Sequence, residues 1–106
     1  MVDQKSIADL AKRIVREFQA EQIILFGSYA YGKPSEASDV DLLVILPFEG
    51  SGIYKAVEIL TKVNPCFPVD LLVRTPAQVR TRLAWKDFFL LEIMEKGKVL
   101  YESTRP

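Results

Sequence analysis

The chain contains no histidine and a single cysteine, Cys66. Without histidine, neither a Ser-His-Asp nor a Cys-His nucleophilic arrangement can be built within it, and the ordinary ligands of a zinc site are missing. One cysteine excludes an intramolecular disulfide and fits a reducing compartment. There is no excess of charge of either sign: 14 basic residues balance 14 acidic ones. That removes the electrostatic footprint of a general nucleic-acid binder, leaving room only for a local basic patch. No apolar run approaches the length of a membrane span, and Met1–Leu10 carries Asp3, Lys5 and Asp9 where a signal peptide needs an apolar core. The expectation is a soluble, cytoplasmic protein.

What the chain does have is a core. Of 106 residues 49% are apolar, enough for one domain over residues 1–106 and too few residues for a second, substrate-holding domain. Ile7, Leu10, Ala11, Ile14, Val15 and Phe18 recur at helical spacing, so a first amphipathic helix is expected from about Asp3 to Gln19. A strand over Gln22–Phe26 follows, then a helical turn after Gly27-Ser28 and a polar loop over residues 32–38. Asp39 is expected to open a second strand that Pro47 ends. A crossover helix runs from Ile53 to Val63 and stops at Asn64-Pro65, and Phe67–Val73 reads as a third strand. Thr75-Pro76-Ala77-Gln78 has the form of a capping box. A short helix around Phe88–Met94, a Gly97 cap, an edge strand at Val99–Tyr101 and a frayed tail over residues 103–106 complete the reading. The order α-β-α-β-α-β-α-α-β implies an α/β or α+β fold, a sheet with helices on at least one face.

Two of these strands carry the same pentapeptide: Val40-Asp41-Leu42-Leu43-Val44 and Val69-Asp70-Leu71-Leu72-Val73. A carboxylate within such an apolar run needs compensation. Alternation places Asp39 and Asp41 on one face of their strand, and Asp70 can join them if the two strands are neighbours. Two carboxylates about 4 Å apart repel by roughly 4 kcal/mol at an effective dielectric of about 20. The motif strands contain no basic residue between Asp39 and Leu46 or between Phe67 and Val73. A hard divalent cation, which takes oxygen ligands and leaves positions for substrate phosphates, is the better compensation. Upstream, the run Ile23-Ile24-Leu25-Phe26 stops at Gly27-Ser28, a strand-to-turn junction that lets backbone N–H groups and a hydroxyl approach a phosphate. Phosphate chemistry follows from the combination. Trp85, Phe88 and Phe89 are open to two readings, core packing or a patch for a partner.

The segment Gly27-Ser28-Tyr29-Ala30-Tyr31-Gly32, followed after five residues by Ser38-Asp39-Val40-Asp41-Leu42, resembles the signature of the DNA polymerase beta-like nucleotidyltransferase superfamily. The short length, Asp70 and the ending Glu95-Lys96-Gly97-Lys98-Val99-Leu100-Tyr101 are similar to its minimal nucleotidyltransferase (MNT) group, so the likeness spans nearly the whole chain. The resemblance implies a mixed sheet flanked by helices, a nucleoside triphosphate at Gly27 and Ser28, and Mg²⁺ or Mn²⁺ on Asp39, Asp41 and Asp70, with the same three aspartates catalytic. It also implies AMP transfer from ATP, Asp70 activating the acceptor hydroxyl. The group's partners are commonly small helical HEPN toxins, which implies an antitoxin that modifies a tyrosine of such a partner in a hetero-oligomer. Many members have arginine where this chain has Tyr31, with Lys33 the nearby cation. Two alternatives stand beside this reading: an antitoxin or assembly module that neutralises by binding alone, and nucleotidyl transfer to a small molecule.

Overall fold

A computed structural model describes residues 1–103 as a four-stranded mixed sheet with helices on both faces. In chain order the elements are α1 (Gln4–Phe18), β1 (Gln22–Phe26), α2 (Ser28–Tyr31), β2 (Val40–Ile45), α3 (Gly52–Val63), β3 (Val69–Arg74), α4 (Pro76–Ala84), α5 (Phe88–Lys96) and β4 (Lys98–Glu102). The sheet order is β3-β2-β1-β4. β1 runs antiparallel to both β2 and β4, and β2 and β3 are parallel, joined by the crossover helix α3.

The expected caps, the Thr75–Gln78 box and Gly97, are observed, and α1 has caps of its own. Asp3 caps α1 by accepting from Ser6 N, and Gln19 closes it in the left-handed region. Thr75 and Gln78 form the reciprocal capping box, Gln78 N to Thr75 Oγ1 at 3.1 Å and Thr75 N to Gln78 Oε1 at 2.9 Å. Strand boundaries shift from the sequence reading by a residue or two, and two of the shifts lie beside the aspartates. β2 begins at Val40, leaving Asp39 just ahead of the ladder. β3 begins at Val69 rather than Phe67, because Pro68 has no N–H to donate and joins the pairing only as an acceptor, from Val40 N at 3.0 Å. Of the expected frayed tail, Ser103 N donates to Glu21 O at 2.8 Å, while residues 104–106 lie outside the described residues.

Strand alternation divides the interior. Val40, Leu42, Val44 and Leu46 face α1 and α3, where Ile7, Leu10, Ile14, Ile59 and Val63 complete the larger buried cluster. Leu43 and Ile45 face α4 and α5 with Ile24, Phe26, Val79, Leu90 and Ile93. Arg13 Nη1 donates to Val63 O at 2.6 Å, tying α1 to the end of α3. Among the described residues no helix is long and apolar enough to cross a membrane.

Candidate active site

Phosphate chemistry of the kind the sequence suggests needs its acidic side chains on one side of one sheet end, and the pairing delivers that. The parallel register sets Asp41 beside Asp70, and the antiparallel register sets Phe26, the last residue of β1, beside Asp41. Paired residues point to the same face, so Asp41 and Asp70 share the α4/α5 side of the sheet with Phe26. The turn after Phe26 then carries Gly27 to the same end.

Gly27 has φ 74° and ψ −158°, a backbone that L side chains avoid. Space excludes a side chain as well. A β-carbon at residue 27 would overlap Asp41 Oδ2 and lie 3.0 Å from the Asp41 carboxyl carbon. The glycine is therefore what admits the Asp41 carboxylate against the turn. Gly27 O accepts from Ala30 N at 3.0 Å and Tyr31 N at 3.1 Å, which winds the single turn α2. The N–H groups of Ser28 and Tyr29, at its start, have no intrahelical acceptor. The Tyr29 ring is buried in the larger cluster and its hydroxyl accepts from Val2 N at 3.1 Å, anchoring the turn from behind. Tyr31 is exposed, as is Lys33.

The carboxylates differ in environment. Asp41 is half-buried, whereas Asp39 and Asp70 are exposed, so the sequence expectation of carboxylates sunk in buried strands holds in part for Asp41 alone. Asp70 escapes burial because β3 is an edge strand and Asp39 because it precedes its ladder. Burial first, then the charge of Asp70 and that of Asp39, hold the Asp41 carboxyl above its usual range. The charges of Asp70 and Asp39 thus both reach Asp41. Among the described residues, however, no three acidic or sulfur side chains are gathered tightly enough to grip an ion as they stand. The donor set, carboxylate oxygens with mutual repulsion and no counter-charge between them, suits a hard divalent cation. Asp39 and Asp70 are exposed and, among the described residues, take part in no hydrogen bond or ion pair.

Two features were beyond sequence reasoning. The Phe89 ring stands edge-on to Phe26, centroids 5.7 Å apart and planes at 85°, so α5 braces the strand end that leads into Gly27. No periodicity pairs those two rings. A cavity of about 740 Å³ lies elsewhere, lined by Phe18, Gln22, Ile45, Arg80 and Glu102 among others. Gln22 and Ile45 are the ends of β1 and β2 remote from Phe26 and Asp41; the acidic cluster occupies the open opposite rim.

Residues 7–100 match the nucleotidyltransferase domain family. The chain is 27% identical over 105 residues to a provisionally named protein adenylyltransferase of Methanocaldococcus jannaschii, covering 95% of this chain and all of that protein. A crystal structure of a provisionally assigned nucleotidyltransferase from Sulfolobus solfataricus superposes with TM-score 0.64 at 17% identity, over 92% of this chain and 78% of that one. A mutant of the toxin-antitoxin pair MntA-HpeT superposes with TM-score 0.52 at 17% identity, over 92% and 74%. These two likenesses are of fold.

Proposed function

The chain belongs to the nucleotidyltransferase domain family, and from that premise we propose that it transfers AMP from ATP to a tyrosine hydroxyl of a partner protein in the cytoplasm, the partner being a HEPN toxin and this chain its antitoxin. The observation that carries the reading is the lateral placement of Asp41 beside Asp70 at the strand end where Gly27 admits the Asp41 carboxylate. Gly27 and Ser28 bind the triphosphate through the turn's free N–H groups and hydroxyl. Asp39 and Asp41, with Asp70, would hold Mg²⁺ or Mn²⁺, which would supply neutralisation of the charge that develops during transfer. Asp70, exposed on the edge strand, takes the proton of the acceptor hydroxyl. The hydroxyl oxygen bonds to the α-phosphorus, the bond from that phosphorus to the bridging oxygen breaks, and pyrophosphate leaves. A protein acceptor is supported by the relative named for protein adenylylation, and an antitoxin role by the fold neighbour from a toxin-antitoxin pair.

A second reading, neutralisation by binding alone, is favoured by the ungathered carboxylates and the exposed aromatics of α5. One experiment separates them. Purified chain is incubated with Mg²⁺ and each α-labelled NTP, with and without the protein encoded beside it, and intact masses are measured against an Asp39→Asn/Asp41→Asn control. A nucleoside monophosphate added to the partner by the unsubstituted chain alone is the expected result. A stable complex without added mass sinks the transfer reading and leaves the binding module.

A further inference from the structure

Most of the large apolar side chains of α5 and the corner before it are turned away from the core. Trp85 is 77% exposed, Phe88 82% and Phe89 53%. With ~150–250 Å² on each aromatic, these three present roughly 300–500 Å² of apolar surface. A patch of that size matches the largest on a typical soluble monomer, which is often functional, and amounts to about half of one side of a standard protein–protein interface. The sequence left these residues open between core and partner patch; exposure removes the core alternative for Trp85 and Phe88, while Phe89 keeps one edge against Phe26.

The backbone at this corner is built to present them. Lys86 adopts φ 58°, in the left-handed region, at the reversal between α4 and α5. Asp87 fixes the next helix by accepting from Leu90 N at 3.1 Å and pairs with Arg82 at 3.5 Å. Beneath Trp85 lies a shallow, largely apolar hollow of about 280 Å³ lined by Ala77, Gln78, Thr81, Arg82 and Trp85. The charges around it have one prevailing sign. Arg82 lines the hollow and is paired with Asp87, Glu92 further along α5 is paired with Lys96 at 3.9 Å, and Lys86, exposed at the reversal, is the cation left without an ion pair among these described residues. An apolar surface rimmed by cations complements a partner surface that combines apolar and acidic side chains. The patch is also joined to the chemistry, because Phe89 stacks on Phe26, whose neighbours are Gly27 in sequence and Asp41 in the sheet.

We propose that the α4–α5 corner, Trp85 with Phe88 and Phe89, is the docking surface for the acceptor protein, and that it receives an apolar segment flanked by carboxylates so that the acceptor hydroxyl lies over Asp70. This rests on the transferase reading for the identity of the acceptor. Residues Trp85 and Phe88 act in docking and not in nucleotide binding. The α3 stripe of Ile53, Tyr54 and Val57, equally exposed but on the opposite side of the sheet, is the internal control.

The test is binding of the neighbour-encoded protein to the full chain by calorimetry, with labelled ATP and Mg²⁺ binding followed separately. Trp85→Ala/Phe88→Ala is expected to weaken the partner by at least roughly 30-fold, the loss typical of central interface anchors, leaving ATP binding unchanged. Lys86→Glu is expected to weaken it by about 5–10-fold at low salt, with the difference shrinking as salt is added. Tyr54→Ala/Val57→Ala is expected to leave it unaltered. Unchanged partner affinity in Trp85→Ala/Phe88→Ala overturns the proposal even if transfer proceeds, and so does a change confined to self-association in sedimentation, which would make a second copy the occupant. Lost docking in these variants, beside an unsubstituted chain that binds but never transfers, would retain the surface and reject the transferase reading.

Discussion

The two faces of the sheet are built for different tasks. The α1/α3 face is closed over the larger cluster, aliphatic apart from Tyr29, with Leu10, Ile14, Leu42, Val44 and Ile59 fully buried. The α4/α5 face has the smaller cluster, shows its aromatics to solvent and carries Asp41 and Asp70 at its rim. A single strand serves both: even positions of β2 fill the larger cluster, and of the odd positions Leu43 and Ile45 fill the smaller one while Asp41 reaches the site. Stability is invested mainly where there is no chemistry, so the reactive face can tolerate repelling charges and open surface.

The largest expected effect lies on the reactive face. Asp41→Asn should lower nucleotidyl transfer by roughly 10³-fold, on the scale of losing one key electrostatic group, with the fold intact by circular dichroism. Retained transfer would break the assignment of chemistry to this face. Next come the two cores. Leu10→Ala should cost about 4 kcal/mol by urea unfolding and Leu90→Ala about 3 kcal/mol, within the range for buried leucines. Only the second should weaken ATP binding, because it undermines α5 behind Phe26, and a reversal of that pattern would erase the distinction between the faces.

The pH dependence is a finer probe. Since the Asp41 carboxyl is held above its usual range by burial and by Asp70 and Asp39, the folded state binds that proton more tightly than the unfolded chain does. The stabilisation is full below the unfolded value, is lost as pH rises through the raised folded value, and is absent at neutrality. Asp41→Asn should therefore melt above the unsubstituted protein at neutral pH, and the gap should narrow as pH falls through that window. A gap independent of pH would mean that Asp41 is not strained by its neighbours. The smallest change is Thr75→Ala, which removes the α4 capping box at a cost of about 1 kcal/mol in thermal unfolding, with transfer unaffected.

The helices and strands were legible because their punctuation is local: Asp3, Thr75 with Gln78, Asn64 and Gly97 mark ends by their own chemistry. The neighbouring of β2 and β3 was only conditional in the sequence, since register depends on pairing between distant segments. That pairing is what brings Asp70 beside Asp41. Motif spacing pointed to Gly27, Ser28, Asp39 and Asp41, yet the fit of the Asp41 carboxylate over Gly27 is a property of folded space. The exposure of Trp85 and Phe88 was likewise hidden, because composition alone does not distinguish a core aromatic from a presented one.

The two identical pentapeptides lie side by side, Val40 against Val69 through Val44 against Val73. For a folding chain this is a degeneracy, because β1 meets two sequences equally able to be its antiparallel partner. Local affinity within the repeat offers no preference, so the connecting lengths must decide. Residues 27–39 separate β1 from the first copy and residues 27–68 from the second, and closing the longer loop costs about 1 kcal/mol more in chain entropy. The shorter path also forms sooner. Lengthening the 32–38 loop would erode that bias, and the expected consequence is a slow refolding phase in which the copies have exchanged places, visible by stopped-flow fluorescence of Trp85.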